Sequence, residues 1–98
     1  MNNKNLKDKL LSEVVSTSWL NLIDHHKRKA VFIVDKSIDL AQVAVDVATD
    51  NVGNIKEYQS KNLLIEPSKE QVTKWDNNKN EIIAKIIIVQ PYVFIQLI

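Results

Sequence analysis

Apolar positions along this chain switch between two periods, and the switches mark its elements. Over residues 3–15, Leu6, Leu10 and Val14 recur four apart and Leu11 and Val15 widen the stripe, which predicts an amphipathic helix. Ser16, Thr17 and Ser18 interrupt it and offer caps for a second short helix over 19–28. There Trp19, Leu22, Ile23 and His26 share a face and His25 does not. Residues 30–34, AVFIV, are β-branched and apolar on both sides, so a strand covered on both faces is expected. Residues 39–50 give the clearest helix, with Leu40, Val43, Ala44, Val47 and Ala48 inward and Gln42, Asp46 and Asp50 outward. Asn51, Val52 and Gly53 predict a tight break before a helix over 54–62 that turns Ile55 and Tyr58 inward. After Pro67, Ser68 and Gln71 have the spacing of a capping box, and Val72 and Trp75 supply the buried side of the helix they open.

The last element is an isoleucine-rich strand over 82–89 that resumes over 92–97. A tight hairpin at Gln90–Pro91 would put proline at the third turn position, where it must be cis, and the usual Asn-Gly chemistry is absent. A bend in one long strand is therefore the expected form. These elements amount to an α+β fold in a single domain, residues 1–98. Four to five short helices pack on a small β-sheet formed by a short central strand and a long, Pro-bent C-terminal strand. A sheet so thin, ending on Val93, Phe94, Ile95, Leu97 and Ile98, invites pairing, so a homodimer through the C-terminal strand is expected. Helices 3–15 and 19–28 covering that edge is the plainer alternative.

Composition narrows the chemistry. The 98 residues contain no cysteine, which removes disulfides, thiolate metal sites and cysteine nucleophiles. The one glycine, Gly53, removes glycine-rich phosphate loops. A net charge of +1 makes no electrostatic case for nucleic acid or an anionic membrane. The polar start, MNNKNLKDKLL, has no secretory character and 82–98 is too interrupted for a membrane helix, so a cytoplasmic protein is expected. Charge is uneven: +3 over residues 1–29, −3 over 30–60 and +1 over 61–98.

The run from RKAVFIVDKSIDLAQVAVDVATDNVG through KNLLIEPSKEQVTKW to IIIVQPYVFIQ resembles a family of small bacterial proteins, the domain of unknown function 2288. The resemblance covers about Trp19 to Gln96. It is most specific at Val34, Asp35, Asp39 and Leu40, at KNLLIEPSKEQ, and at Ile88 to Val93. The chain departs from the family pattern at Lys36, where a proline is usual, and at Ile82, Ile83 and Ala84, where a basic–aromatic pair is usual. The resemblance implies an intracellular bacterial protein of one domain and brings no activity, cofactor or catalytic residue with it.

Four constellations merit weighing, each beside a plainer structural reading. Asp24, His25 and His26 are types that bind metals, but neighbours on a helix point about 100° apart and cannot chelate one ion together. Asp35, Asp39, Asp46 and Asp50 form an acidic set suited to a cation or a basic partner; the milder reading makes Asp39 a cap and Asp46 and Asp50 a solvated face. Helices 39–50 and 54–62 have helix-turn-helix lengths, with Lys56 and Lys61 as the DNA contacts, yet the second helix has no arginine. Trp19, Trp75, Tyr58 and Tyr92 are aromatics of the kind that line a pocket; each sits at core spacing, so core is the expected place, and buried tyrosines need a partner for the hydroxyl. The leading expectation is a non-enzymatic interaction or regulatory domain that binds an unknown protein partner. Its contact surface is expected at Asp35, Asp39, Asp46 and Asp50, with no catalytic residue, metal, cofactor or membrane involved. A winged-helix-like DNA binder is the alternative.

Overall fold

The computed structural model describes residues 3–98. Helix α1 (Asn3–Ser12) is followed by strand β1 (Val15–Ser18), a 3-10 turn (Trp19–Asn21), α2 (Ile23–Lys27) and β2 (Val31–Val34). A helical pair, α3 (Leu40–Ala48) and α4 (Val52–Ser60), leads to β3 (Leu64–Ile65), α5 (Lys69–Asp76), β4 (Ile83–Val89) and β5 (Tyr92–Leu97). The α+β class and the five helices agree with the sequence pattern. The sheet is larger than expected: five strands in the order β1-β4-β5-β2-β3. All neighbours are antiparallel except β2 and β5, which run parallel with Val31 opposite Val93 and Ile33 opposite Ile95.

Period-two alternation sends alternate side chains into two apolar layers. On one face Val34, Ile87 and Phe94 meet α1, α3 and α4 through Leu10, Leu40, Val43, Ala44 and Ile55. On the other, Val31, Ile33, Ala84, Ile86, Val93 and Ile95 meet the 3-10 turn and α5 through Trp19 and Trp75. The indoles of Trp19 and Trp75 lie 4.9 Å apart, and Trp19 Nε1 donates to Asp76 Oδ1 at 2.8 Å, so both tryptophans are core residues. The Ser68 and Gln71 capping box is present as expected, with side chain and backbone exchanging bonds at both residues.

Three expectations need correction. The first helix stops at Ser12, whose hydroxyl donates to the Lys9 carbonyl, and Val15–Ser18 is a strand against β4; Ser18 takes the expected N-cap place before the 3-10 turn but makes no side-chain cap bond. Pairing with Ile83 to Ile86 satisfies the β4-facing half of this backbone, in residues whose β-branched and hydroxyl side chains weaken a helix. The Gln90–Pro91 interruption is a hairpin turn, not a bend: β4 and β5 pair from Val89 opposite Tyr92 to Ala84 opposite Leu97, and the Gln90–Pro91 bond is cis. Finally, β5 lies between β4 and β2, so the C-terminal strand has no free edge along its paired length through which two copies could complete a sheet.

The helix stops use little glycine. Lys29, Asp50 and Asn62 each take a left-handed conformation, with φ of 58°, 56° and 58°. Each sits one residue past a helix C-cap and closes a Schellman motif. After α3, Asp50 N reaches the Val47 carbonyl at 3.1 Å and Asn51 N reaches that of Asp46 at 2.7 Å; the same pair of bonds follows α2 and α4. The break therefore falls at residues 49–51, and Gly53 lies inside α4.

Candidate functional site

The acidic set does not assemble into one surface. Asp35 is exposed and folds back on its own turn, accepting from Ser37 N at 2.9 Å; the Ser37 side chain first and this backbone bond second lower its carboxyl pKa. Asp39 caps α3 through Ala41 N at 3.0 Å and ion-pairs with Lys7 of α1 at 2.9 Å. The Lys7 hydrogen bond is the main cause holding its carboxyl below the ordinary range. Asp46 is not on a solvated face: it is 2% exposed. Helix α3 is buried on more than one side, by the sheet and by α1 and α4, so a residue opposite the sheet-facing stripe still lies inside. Asp50 is exposed at the helix stop.

Asp46 is held by neutral donors from its own helix and from α4. Tyr58 Oη donates to Oδ2 at 2.6 Å, while Gln42 Nε2 and Asn54 Nδ2 each donate to Oδ1 at 3.3 Å. Burial, then the hydrogen bond to Asp46, pushes the Tyr58 phenol up to about 12. Tyr58 thus has the hydroxyl partner its spacing required, and the carboxylate clips α4 to α3. No spacing rule within one helix reveals this contact, because its donors come from both sides of the turn at 49–51.

That clip fixes one wall of a groove with a volume of about 310 Å³. The sheet supplies Phe32 from β2, Leu64 from β3, and Tyr92 and Phe94 from β5. Helix α4 supplies Ile55 and Gln59, and the end of α3 supplies Val47 and Asp50. Phe94 is buried and forms the floor, Phe32 is half-buried, and Tyr92 is 41% exposed at the rim. Their rings are mutually in contact, with centroids 5.7 Å apart for Phe32 and Tyr92 and 6.0 Å for Phe32 and Phe94. Asp50 is the one ionised group in the lining. Of the acidic residues singled out in the sequence, it is the one that borders this apolar surface.

The histidines go elsewhere. Arg28 Nη2 bonds His25 Nδ1 at 2.8 Å, and the His26 ring lies 5.6 Å from Trp19. Among the described residues no three histidine, aspartate or glutamate side chains are grouped to hold a metal ion. Lys56 is exposed on α4 and Lys61 is exposed at its C-cap, where it pairs with Glu57 at 2.9 Å. The helical pair packs on a mixed five-stranded sheet whose last hairpin turns in two residues, so there is no extended wing beside it. No helix among the described residues is long and apolar enough to cross a membrane.

The fold defines a class of small α+β protein with a mixed sheet covered on both faces by helices. The chain belongs to the family described as "Protein of unknown function (DUF2288)", whose pattern matches residues 5–97. It is similar to the NMR solution structure of PA1075 from Pseudomonas aeruginosa, with a TM-score of 0.77 and 27% identity over 94% of this chain and 83% of that one. No curated protein matches it.

Proposed function

We propose that this chain is a non-enzymatic cytoplasmic interaction domain that docks a basic, partly apolar segment of another protein in the groove between the α3–α4 pair and the sheet. The observation that carries this reading is the meeting of a contiguous aromatic surface, Phe32, Tyr92 and Phe94, with a single carboxylate, Asp50, at one rim. A lysine or arginine has the matching shape: an aliphatic stem for the rings and a cationic head for Asp50. Burying roughly 100 Å² of stem contributes about 2.5 kcal/mol. The ring faces and the exposed carboxylate each add up to about 1 kcal/mol. A single side chain would then bind only near the millimolar range, so the domain must read several residues of a segment. The contact surface narrows from the four aspartates expected to Asp50 and the aromatic groove.

The test is titration of the labelled protein with two short peptides of equal leucine content, one rich in lysine and one rich in glutamate, followed by amide shifts. The lysine peptide should move the signals of Asp50, Tyr92 and Ile55, and Asp50→Lys should reverse the preference. Equal responses to both peptides, or a response indifferent to Asp50→Lys, would overturn the proposal.

A further inference from the structure

The sheet has two edges, and they are finished differently. Strand β3 is two residues long and runs directly into Glu66 and Pro67, a charge and a missing donor that discourage further pairing. Strand β1, Val-Ser-Thr-Ser, has neither charge nor proline, and its pairing with β4 is continuous over all four residues. Its free side follows from the ladder. Trp19 N donates to the Ile82 carbonyl at 2.9 Å, in the register that pairs Thr17 with Ala84 and Val15 with Ile86. Main-chain groups in an antiparallel pair alternate between the neighbour and the opposite side. Those of Thr17 and Val15 therefore face β4, and those of Ser16 and Ser18 face outward.

The surroundings of this edge match a copy of themselves. Val15 is 56% exposed and Ile88 47%, on the same sheet face beyond the cover of Trp19 and Trp75, and Leu20 is 49% exposed just past the strand. Glu13 precedes the strand at one end. At the other, Lys79 is held beside Leu20 by the bond from Leu20 N to its carbonyl at 3.2 Å. Both charges are exposed, and neither belongs to a salt bridge among the described residues. We propose that β1 is the self-association edge of this protein: two copies pair antiparallel about a twofold axis at Thr17, each apposing Ser16 to Ser18 of the other and Glu13 to the neighbourhood of the other's Lys79. The sheets then join into one of ten strands, and Leu20 comes to the end of the second copy's strand near Val14. This edge, and not the C-terminal strand, is where a homodimer forms.

Sedimentation equilibrium of the full chain tests it. The expected species has twice the 11.2 kDa of one chain at micromolar concentration. Ser18→Pro removes only an outward donor, from a residue with φ of −89°, near proline's own range, and should raise the dimer dissociation constant at least about tenfold. Glu13→Lys and Lys79→Glu should each weaken the dimer, and the double variant should restore it. The swap decides the matter even if the proline variant fails to fold by circular dichroism. A wild-type monomer at hundreds of micromolar, or a dimer unmoved by both the proline and the charge variants, overturns the proposal.

Discussion

The most exacting check of this structure is to remove one oxygen atom, that of Tyr58. Tyr58→Phe keeps the ring between α3 and α4 but deletes the 2.6 Å bond to Asp46 Oδ2. The carboxylate is 2% exposed and has no cation in a salt bridge with it among the described residues, so water cannot readily replace the lost donor. The remaining donors, Gln42 and Asn54, both reach Oδ1 and leave Oδ2 uncovered. A hydrogen bond to a charged group contributes about 1.5–3 kcal/mol, and leaving the acceptor bare sets the loss at about 2 kcal/mol. For a chain this size that lowers the melting temperature by about 8–16 °C.

Urea and thermal denaturation followed by circular dichroism measure the loss. A cycle with Asp46→Asn should show at least about 1 kcal/mol of coupling. Alkaline titration supplies an independent arm. The folded phenol holds its proton to about 12 whereas an ordinary tyrosine releases it near 10, so the contribution is complete below pH 10 and is lost as pH rises through 12. Wild type should lose stability in that window beyond whatever Tyr58→Phe loses. A Tyr58→Phe cost below about 0.5 kcal/mol, with parallel alkaline curves, would mean that Asp46 is solvated and the clip does not exist.

The placement of glycine supports two further expectations. A Cβ on Gly53 would meet only Asn51 Oδ1, at 3.8 Å, and the residue lies within α4, so Gly53→Ala should stabilise by about 0.4–1 kcal/mol in thermal melts. Lys29 holds φ of 58° at the stop of α2, so Lys29→Gly should relieve left-handed strain and gain about 1 kcal/mol in the same assay. A loss in either variant would contradict the backbone described for that helix.

Local chemistry made much of this fold legible. Ser68 and Gln71 signalled their helix because a capping box is contained within four residues. AVFIV signalled a doubly covered strand because both its faces are apolar, and α3 was marked by its stripe. Signals that depend on a distant partner were not legible. Val15–Ser18 becomes a strand only because β4 lies beside it, and Leu64–Ile65 is too short to carry a period. Gln90–Pro91 lacks the Asn-Gly chemistry that marks a hairpin in sequence, yet the turn is a hairpin with the cis bond that proline needs at that place. Asp46 followed the helical pattern of an exposed residue, and only the arrival of α4 buries it. The groove brings together four sheet residues from three strands, three helical residues and Asp50 at a helix stop, and no stretch of sequence contains such a pattern. Of its lining, Asp50 and Tyr92 stand out in the sequence, and for Tyr92 the expected core position is corrected: it is 41% exposed at the groove's rim.

The position of β5 has a consequence for the order in which the chain is made. Of the five strands, the one reached last along the chain, Tyr92–Leu97, occupies the middle of the sheet, joining the β1–β4 side to the β2–β3 side. While a ribosome still holds it, β2 can pair only with the two residues of β3, and Phe32 and Val34 have no sheet neighbour on their other side. The apolar faces of α1, α3 and α4 are already made but have little to rest on. The sheet therefore cannot join its two sides until β5 has been made, and its long-range pairings form together rather than in chain order. Until then the apolar AVFIV segment lacks the β5 side of its pairing, and a β-branched apolar run left with an open edge is prone to pair with other chains.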